Sequence, residues 1–226
     1  MTTPMRVSTT VLEAFRRFSR EEWMSEGEIL ATIRGEIPKN DKMRIGTAYG
    51  NIVRWPREFA EGGGFYGLDG IRFTDRAVDE MLQRIGRFGV YEAKSYLPFD
   101  NDIMIVAKVD HLFGTDISEI KTTLDSFDSD KYMASYQWRF YILAFQAPRV
   151  TYQVAELKLV SLKDDREPII EAYGLRNPIA SLRVYPYPNL EADCRNLVNE
   201  FRNFVIDYKL DDLLRERQRE AERRYA

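Results

Sequence analysis

The stretch IMIVAKVDHLFGTDISEIKTT, residues 103–123, decides how this chain folds. Its first eleven residues are a long apolar and β-branched run, too extended in composition for a surface helix, and they read as a strand. Gly114-Thr115 punctuates the run as a turn, and ISEIKTT then alternates apolar and polar residues with the period of two that marks a second strand. Upstream, VYEAKSYLPF (90–99) reads as another strand, joined through a turn at Asp100-Asn101-Asp102, so the three form an antiparallel meander. Downstream, KYMASYQWRFYILAFQ (131–146) has the spacing of one amphipathic helix. VTYQVAELKLV and IASLRVYPY follow as strands, and a long terminal helix runs from 189 to about 222.

Before the meander the periodicity is helical. TTVLEAFRRFS (9–19) is capped by Ser8 or Thr9, and further helices are expected at roughly 21–34 and about 44–54. Gly62-Gly63-Gly64 breaks the pattern. FYGLDGIRF then forms a hairpin about Leu68-Asp69-Gly70, and Thr74 caps a helix reaching about Ile85. Three strands, a helix, two strands and flanking helices give an α/β (α+β) fold, a mixed central sheet with helices on both sides. Residues 1–88 form a helical cover with a small hairpin over a core of residues 89–226, within one compact unit; a winged-helix-like DNA module over Met24 to Leu82 is the lesser alternative.

Composition narrows the chemistry. The chain has 226 residues, 44% apolar and 31% charged, with a net charge of −3. No run approaches the ~20 apolar residues of a membrane span, and the N-terminus lacks the layout of a secretory signal, so a soluble cytoplasmic protein is expected. The one cysteine, Cys194, rules out an internal disulfide framework and a thiolate-held cluster, and it reads as a packed thiol. With His111 the one histidine, a two-histidine zinc site cannot form either. Any hydrolytic metal site must rest on carboxylates. The acidic net charge gives no bulk attraction for nucleic acid, so a DNA partner needs local basic patches such as Arg16, Arg17 and Arg20; Lys39, Lys42 and Arg44; Arg54 and Arg57; or the arginines of the tail.

In a strand, residues two apart share a face, so Glu119 and Lys121 project together while Ile120 turns away. Asp110 lies nine residues before Glu119 across the Gly114-Thr115 turn, and the hairpin can bring it alongside. Two carboxylates and an ammonium at one end of a sheet suit a hard divalent ion and a phosphodiester. Gln137 and Tyr141, four apart, share one helix face that can be laid against the same end. His111, next to Asp110, alternates to the other face and reads as structural. Glu-x-Lys alone is weak, because Glu92-Ala-Lys94 and Glu156-Leu-Lys158 repeat it; only Glu119 has a strand aspartate before it and a Gln-x-x-x-Tyr helix after it.

That ordered set, Asp110, then Glu119-Ile120-Lys121-Thr122-Thr123, then Gln137-x-x-x-Tyr141, resembles the RecB-like branch of the PD-(D/E)XK nucleases, which includes phage lambda-type and RecE-type exonucleases. The resemblance extends from about Gly46 to Tyr141 and implies a restriction-endonuclease-like fold. It implies a Mg2+- or Mn2+-dependent deoxyribonuclease, of recombination-type exonuclease or structure- or site-specific endonuclease character. In the family the Asp and Glu hold the metal, the carbonyl between Glu and Lys (here Ile120) adds a ligand, Lys positions or activates water, and the Gln-x-x-x-Tyr helix contacts DNA. The resemblance further implies a DNA partner, a homo-oligomer, and a single-strand annealing or recombination protein as companion, and the basic N-terminal helical region offers Arg16, Arg17 and Arg44 to grip the strand. Members often carry Gly-Thr-x-x-His on an early helix, its His a further metal ligand; here IGTAYGNIVRWP places Gly50 at that position. Ala107-Lys108-Val109 stands where many members have a glycine before the metal aspartate, and the iron-sulfur cysteines of some relatives are absent. Glu58, Glu61 and Glu92 remain open as substitutes for the histidine. A nucleic-acid-binding module without turnover is the reading from a different class.

Overall fold

The computed structural model describes residues 4–20, 24–36, 40–61, 63–86, 88–99, 102–162 and 170–224. The expected turn at 100–102 and Lys39 fall largely or wholly outside these ranges. The elements run β1 (Met5–Ser8), α1 (Thr9–Ser19), α2 (Glu26–Arg34), α3 (Asp41–Arg54), α4 (Pro56–Phe59), β2 (Ala60–Glu61), β3 (Phe65–Leu68), β4 (Ile71–Thr74) and α5 (Asp75–Ile85). They continue with β5 (Val90–Phe99), β6 (Ile103–Phe113), β7 (Asp116–Thr123), α6 (Ser129–Ala134), α7 (Gln137–Phe145), β8 (Val150–Leu162), β9 (Ile170–Leu175), β10 (Ala180–Val184), α8 (Leu190–Asp207) and α9 (Asp211–Arg224).

The expected mixed sheet with helices on both sides is what forms. Among the described residues its order is β1-β6-β7-β8-β9-β4-β3-β2, with β5 also on β6 and β10 also on β8. The meander β5-β6-β7 is antiparallel throughout, whereas β1 joins β6, and β8 joins β7, in parallel. β6 is the axis. One of its edges is covered by β5 along almost its whole length; the other is shared, with β1 beside Ile103–Val106 and β7 beside His111–Phe113. The stretch 107–110 on that second edge therefore lies between two partners.

Apolar residues of β6 at 103, 105, 107 and 109 are buried against α1, α2, α7 and α8 through Leu12, Phe15, Ile29, Phe140 and Phe201. A second core lies under α3 and α5, where Tyr49, Ile52, Val78 and Met81 meet Phe73 of β4 and Leu157 of β8. The expected hairpin is present, with Asp69 and Gly70 both at positive φ as a tight two-residue turn requires, and the Thr74 hydroxyl caps α5 by accepting from Ala77 N–H. Residues before 89 are woven into the sheet, because β1 pairs with β6 and β4 with β9. No helix among the described residues is long and apolar enough to cross a membrane.

Two expected single helices are each divided. Over 131–146 the chain forms α6 and α7 with a break at Ser135-Tyr136, because Tyr136 N–H is drawn to the buried carboxylate of Glu13 (2.7 Å) rather than to a helical carbonyl. The terminal helix breaks at Tyr208-Lys209-Leu210. Lys209 takes a left-handed φ of 53°, the N–H of Leu210 returns to Val205 C=O, and Leu210 and Leu214 turn into the core. β1, β2 and β9 are strands the sequence pattern does not announce.

Gly89 marks a close approach. A Cβ there would lie 2.3 Å from His111 Nε2 and 2.7 Å from the Leu112 carbonyl oxygen, and its φ of +139° disfavours any side chain. His111 is buried, donates from Nε2 to Phe88 C=O at 3.0 Å, and is kept from charging mainly by burial, in keeping with a structural role. We expect Gly89→Ala to cost about 2 kcal/mol or more and to lower Tm by several degrees, read by thermal melting.

Candidate active site

The β6–β7 ladder runs from Phe113 opposite Asp116 to His111 opposite Ser118. One step further would set Asp110 opposite Glu119, and at that step side chains take over from backbone. The Asp110 N–H donates to Glu119 Oε1 at 3.0 Å, and Asp110 Oδ2 accepts from the Ile120 N–H at 2.9 Å. Each carboxylate is thereby fixed by the backbone of the neighbouring strand, and both are held where the regular pairing stops. Lys121, two residues beyond Glu119 on the same strand face, donates to Glu119 Oε2 at 2.8 Å and lies 3.8 Å from Asp110 Oδ2. The three groups singled out by the sequence meet.

Their environments differ. Glu119 is 1% exposed, while the Asp110 and Lys121 side chains keep about a third of their surface, 33% and 29%. Burial, and then the like charge of Asp110, pushes the Glu119 carboxyl up to about 7, against the pull of Lys121 and the Asp110 N–H. Burial works against the charge on Lys121, yet Glu119 and Asp110 outweigh it and hold the ammonium well above its ordinary range. The cluster carries one negative charge more than it balances when Glu119 is ionised.

Two tyrosines close the buried side. Tyr141 of α7 is buried, is bonded to Thr9, and has its phenol raised well above the ordinary value by burial and by Glu119. Tyr152 pairs with Glu119 in the parallel β7–β8 register; its hydroxyl is buried near Ser135 without good hydrogen-bond geometry, and burial and Glu119 raise it as well. Both phenols stay neutral. Tyr152 was not singled out by the sequence pattern; a polar hydroxyl inside the apolar run VTYQVAELKLV was its one signal.

Glu13 is what aims α7. Its carboxylate accepts from Tyr136 N–H at 2.7 Å and pairs with Arg16 (3.1 Å) and Arg17 (3.3 Å), all at the helix start that carries Tyr141 one turn later. Replacing Glu13 with Ala removes the acceptor of the Tyr136 N–H and one carboxylate partner of buried Arg16. We expect a loss of about 3–5 kcal/mol, read by chemical denaturation, with Glu13→Gln intermediate.

Beside the cluster lies a cleft of about 210 Å³. α3 lines one wall with Gly46, Thr47, Gly50, Asn51 and Arg54; Tyr91, Glu92, Asp110, Ile120 and Lys121 line the other. A Cβ on Gly46 would lie 3.1 Å from Thr122 Oγ1, so the glycine lets α3 settle on β7. A Cβ on Gly50 would meet nothing within 4 Å, and the space there opens into the cleft. Arg54 is paired with Glu92 at 2.8 Å, and Glu92, at a left-handed φ of 53°, also takes Lys108 at 2.9 Å.

Other expected residues fare differently. Gln137 is half-buried in the first turn of α7; its N–H donates to Ser135 Oγ, and no hydrogen bond joins its side chain to the carboxylates. Arg16 is 5% exposed in an ion pair with Glu13 and braces α1. Arg17 is partly exposed but shares Glu13, and Arg44 is exposed beside Asp41. Of the open acidic substitutes, Glu58 is exposed, Glu61 pairs with Arg72 on the hairpin, and Glu92 lines the cleft. Glu156, of the second Glu-x-Lys decoy, is a buried latch accepting from Phe127 N–H and Asn177 Nδ2. Cys194 is buried. Among the described residues no group of three or more acidic, histidine or cysteine side chains gathers as a metal cage.

The sequence matches no family model and no curated protein. The structure is similar to that of an alkaline exonuclease. That protein, LHK-Exo from Laribacter hongkongensis, aligns at a TM-score of 0.47 with 14% identity, over 96% of this chain and 94% of the other. The same exonuclease in complex with dAMP aligns at 0.46 with 15% identity, over 96% and 93%. Any functional reading of this chain rests on its own site.

Proposed function

We propose that this chain is a divalent-metal-dependent deoxyribonuclease of the PD-(D/E)XK type, acting as a recombination-type exonuclease. The observation that carries the reading is the meeting of Asp110, Glu119 and Lys121 at the step where the β6–β7 backbone ladder gives way to side chains. The donor set fits Mg2+ or Mn2+: two carboxylates and the Ile120 carbonyl are hard oxygen ligands, and a Glu119 carboxyl pushed up to about 7 is one that a cation would bring back down. When bound, the metal supplies an acidified water and charge neutralisation at the phosphate. Lys121, firmly protonated, serves as a hydrogen-bond donor that orients the attacking water rather than as a base. Tyr141 and Tyr152 hold the dry side as neutral phenols, and Gln137 borders the strand from the first turn of α7. Homo-oligomer assembly and a single-strand annealing companion belong to the same proposal.

The test is cleavage of end-labelled duplex and single-stranded DNA, linear or covalently closed, in Mg2+, Mn2+ or EDTA. The expected result is metal-dependent loss of linear substrate with closed circles spared, abolished by Asp110→Asn. Cleaved circles would move the reading to an endonuclease of the same fold. Gly50, which leaves its position without a ligand, favours one rival, a module that binds DNA without turnover; binding with no cleavage in either metal would establish that rival and end the enzyme reading.

A further inference from the structure

Large apolar side chains stand in solvent on the segments next to the cleft walls. Phe88 is 77% exposed, Val90 59% and Trp55 51%. Trp55 directly follows Arg54, the last residue of α3 and part of the cleft wall. Val90 directly precedes Tyr91 and Glu92, which form the opposite wall, and Phe88 lies two residues before Val90. The Arg54–Glu92 pair at 2.8 Å ties these two segments together, so both exposed segments adjoin the cleft walls along the chain. Cations lie on the same segments: Arg57 is exposed, Lys108 is exposed and shares Glu92 with Arg54, and Arg54 keeps its Nε buried without a hydrogen-bond partner.

Exposed aromatics and cations on the segments that flank a cleft lined by Asp110 and Lys121 suit unpaired bases. An aromatic face stacks on any base and the cations follow the backbone phosphates. A paired duplex keeps its bases stacked on one another and offers no free base face. We infer that the Trp55–Phe88 rim is a stacking platform for single-stranded DNA, with Arg54 gripping a backbone phosphate where the strand meets the cleft. The inference rests on the nuclease reading above and adds the state of the strand that the cleft takes. The Phe88 carbonyl accepts from buried His111 of β6 at 3.0 Å, so its ring is displayed from a fixed backbone.

The experiment measures binding of fluorescently labelled oligo(dT) and of a blunt duplex by anisotropy, in EDTA and in Ca2+, for the wild type and for Trp55→Ala, Phe88→Ala and Trp55→Tyr. Each alanine variant is expected to weaken oligo(dT) binding roughly ten-fold, with Trp55→Tyr close to the wild type and duplex binding changed far less. Arg54→Gln is expected to weaken binding and to flatten its dependence on salt by about one ion. Exposed side chains leave folding unaffected, which thermal melting checks. Unchanged oligo(dT) affinity in both alanine variants overturns the platform. So does a variant whose solution mass, by light scattering, falls from that of an assembly to that of one chain, because the rim is then a contact between copies. If the wild type cleaves DNA in metal while the variants bind as it does, this inference alone fails; if the wild type neither binds nor cleaves, the nuclease reading fails with it.

Discussion

Lys121→Met should reduce metal-dependent cleavage by roughly 10²- to 10³-fold, the size expected when a positioned donor is removed from a preorganised site. The argument begins with geometry. Lys121 is the one cation within 4 Å of both carboxylates, 2.8 Å from Glu119 and 3.8 Å from Asp110, among the described ion pairs. Removing its charge leaves Glu119, 1% exposed, facing Asp110 without relief, so the Glu119 carboxyl must rise further above about 7 and take up a proton near neutrality. A protonated Glu119 is a poorer metal ligand as well as a poorer acceptor for Asp110 N–H. The loss should therefore appear in kcat and also as weaker Mn2+ affinity by calorimetry. Lys121→Arg keeps the charge and should keep the Mn2+ affinity while still impairing turnover, because a planar guanidinium cannot reproduce the compact ammonium. A Lys121→Met protein that folds and cleaves at the wild-type rate would show that the cluster is a structural ion network and remove the basis of the nuclease reading.

What the sequence conveys about this site is the strand logic. Alternation puts Glu119 and Lys121 on one face, and the count of residues around Gly114-Thr115 puts Asp110 opposite Glu119; both follow from a period of two and a turn. What it does not convey is that the ladder stops there, since that depends on β1 taking the first half of the β6 edge and β7 the second. A four-residue strand such as β1 has no periodicity to read. The break between α6 and α7 is hidden for a related reason: local spacing favours one helix, and the competing acceptor is Glu13, 123 residues away. Arg16 looks like part of a basic patch because the sequence shows its charge but not the helix face that buries it against Glu13. Tyr141 is foreseeable from its spacing to Gln137, whereas Tyr152 needs the β7–β8 register, a parallel pairing across two intervening helices. Local pattern specifies which residues can share a face, and long-range pairing specifies which faces meet.

Divalent cation should raise thermal stability strongly at pH 8 and weakly at pH 5.5. In the folded protein the Glu119 carboxyl titrates at about 7, above its ordinary value of 4.5, so between these two pH values the folded state holds the extra proton. Stability then falls as pH rises through that window, and above it the buried, repelled carboxylate costs on the order of 3 kcal/mol. A cation held by Asp110 and Glu119 removes that burden and competes with the proton for the same oxygens, so its contribution grows as the proton leaves. For a chain of this size the difference in melting temperature with and without Mg2+ or Mn2+ should reach several degrees at pH 8 and shrink toward zero at pH 5.5. Asp110→Asn serves as the control: it removes the second largest cause of the Glu119 shift together with one ligand, so both the pH slope and the metal effect should diminish together. Equal stabilisation at both pH values, or full stabilisation in Asp110→Asn, would place the bound cation elsewhere on the molecule and leave Glu119 with no part in holding it.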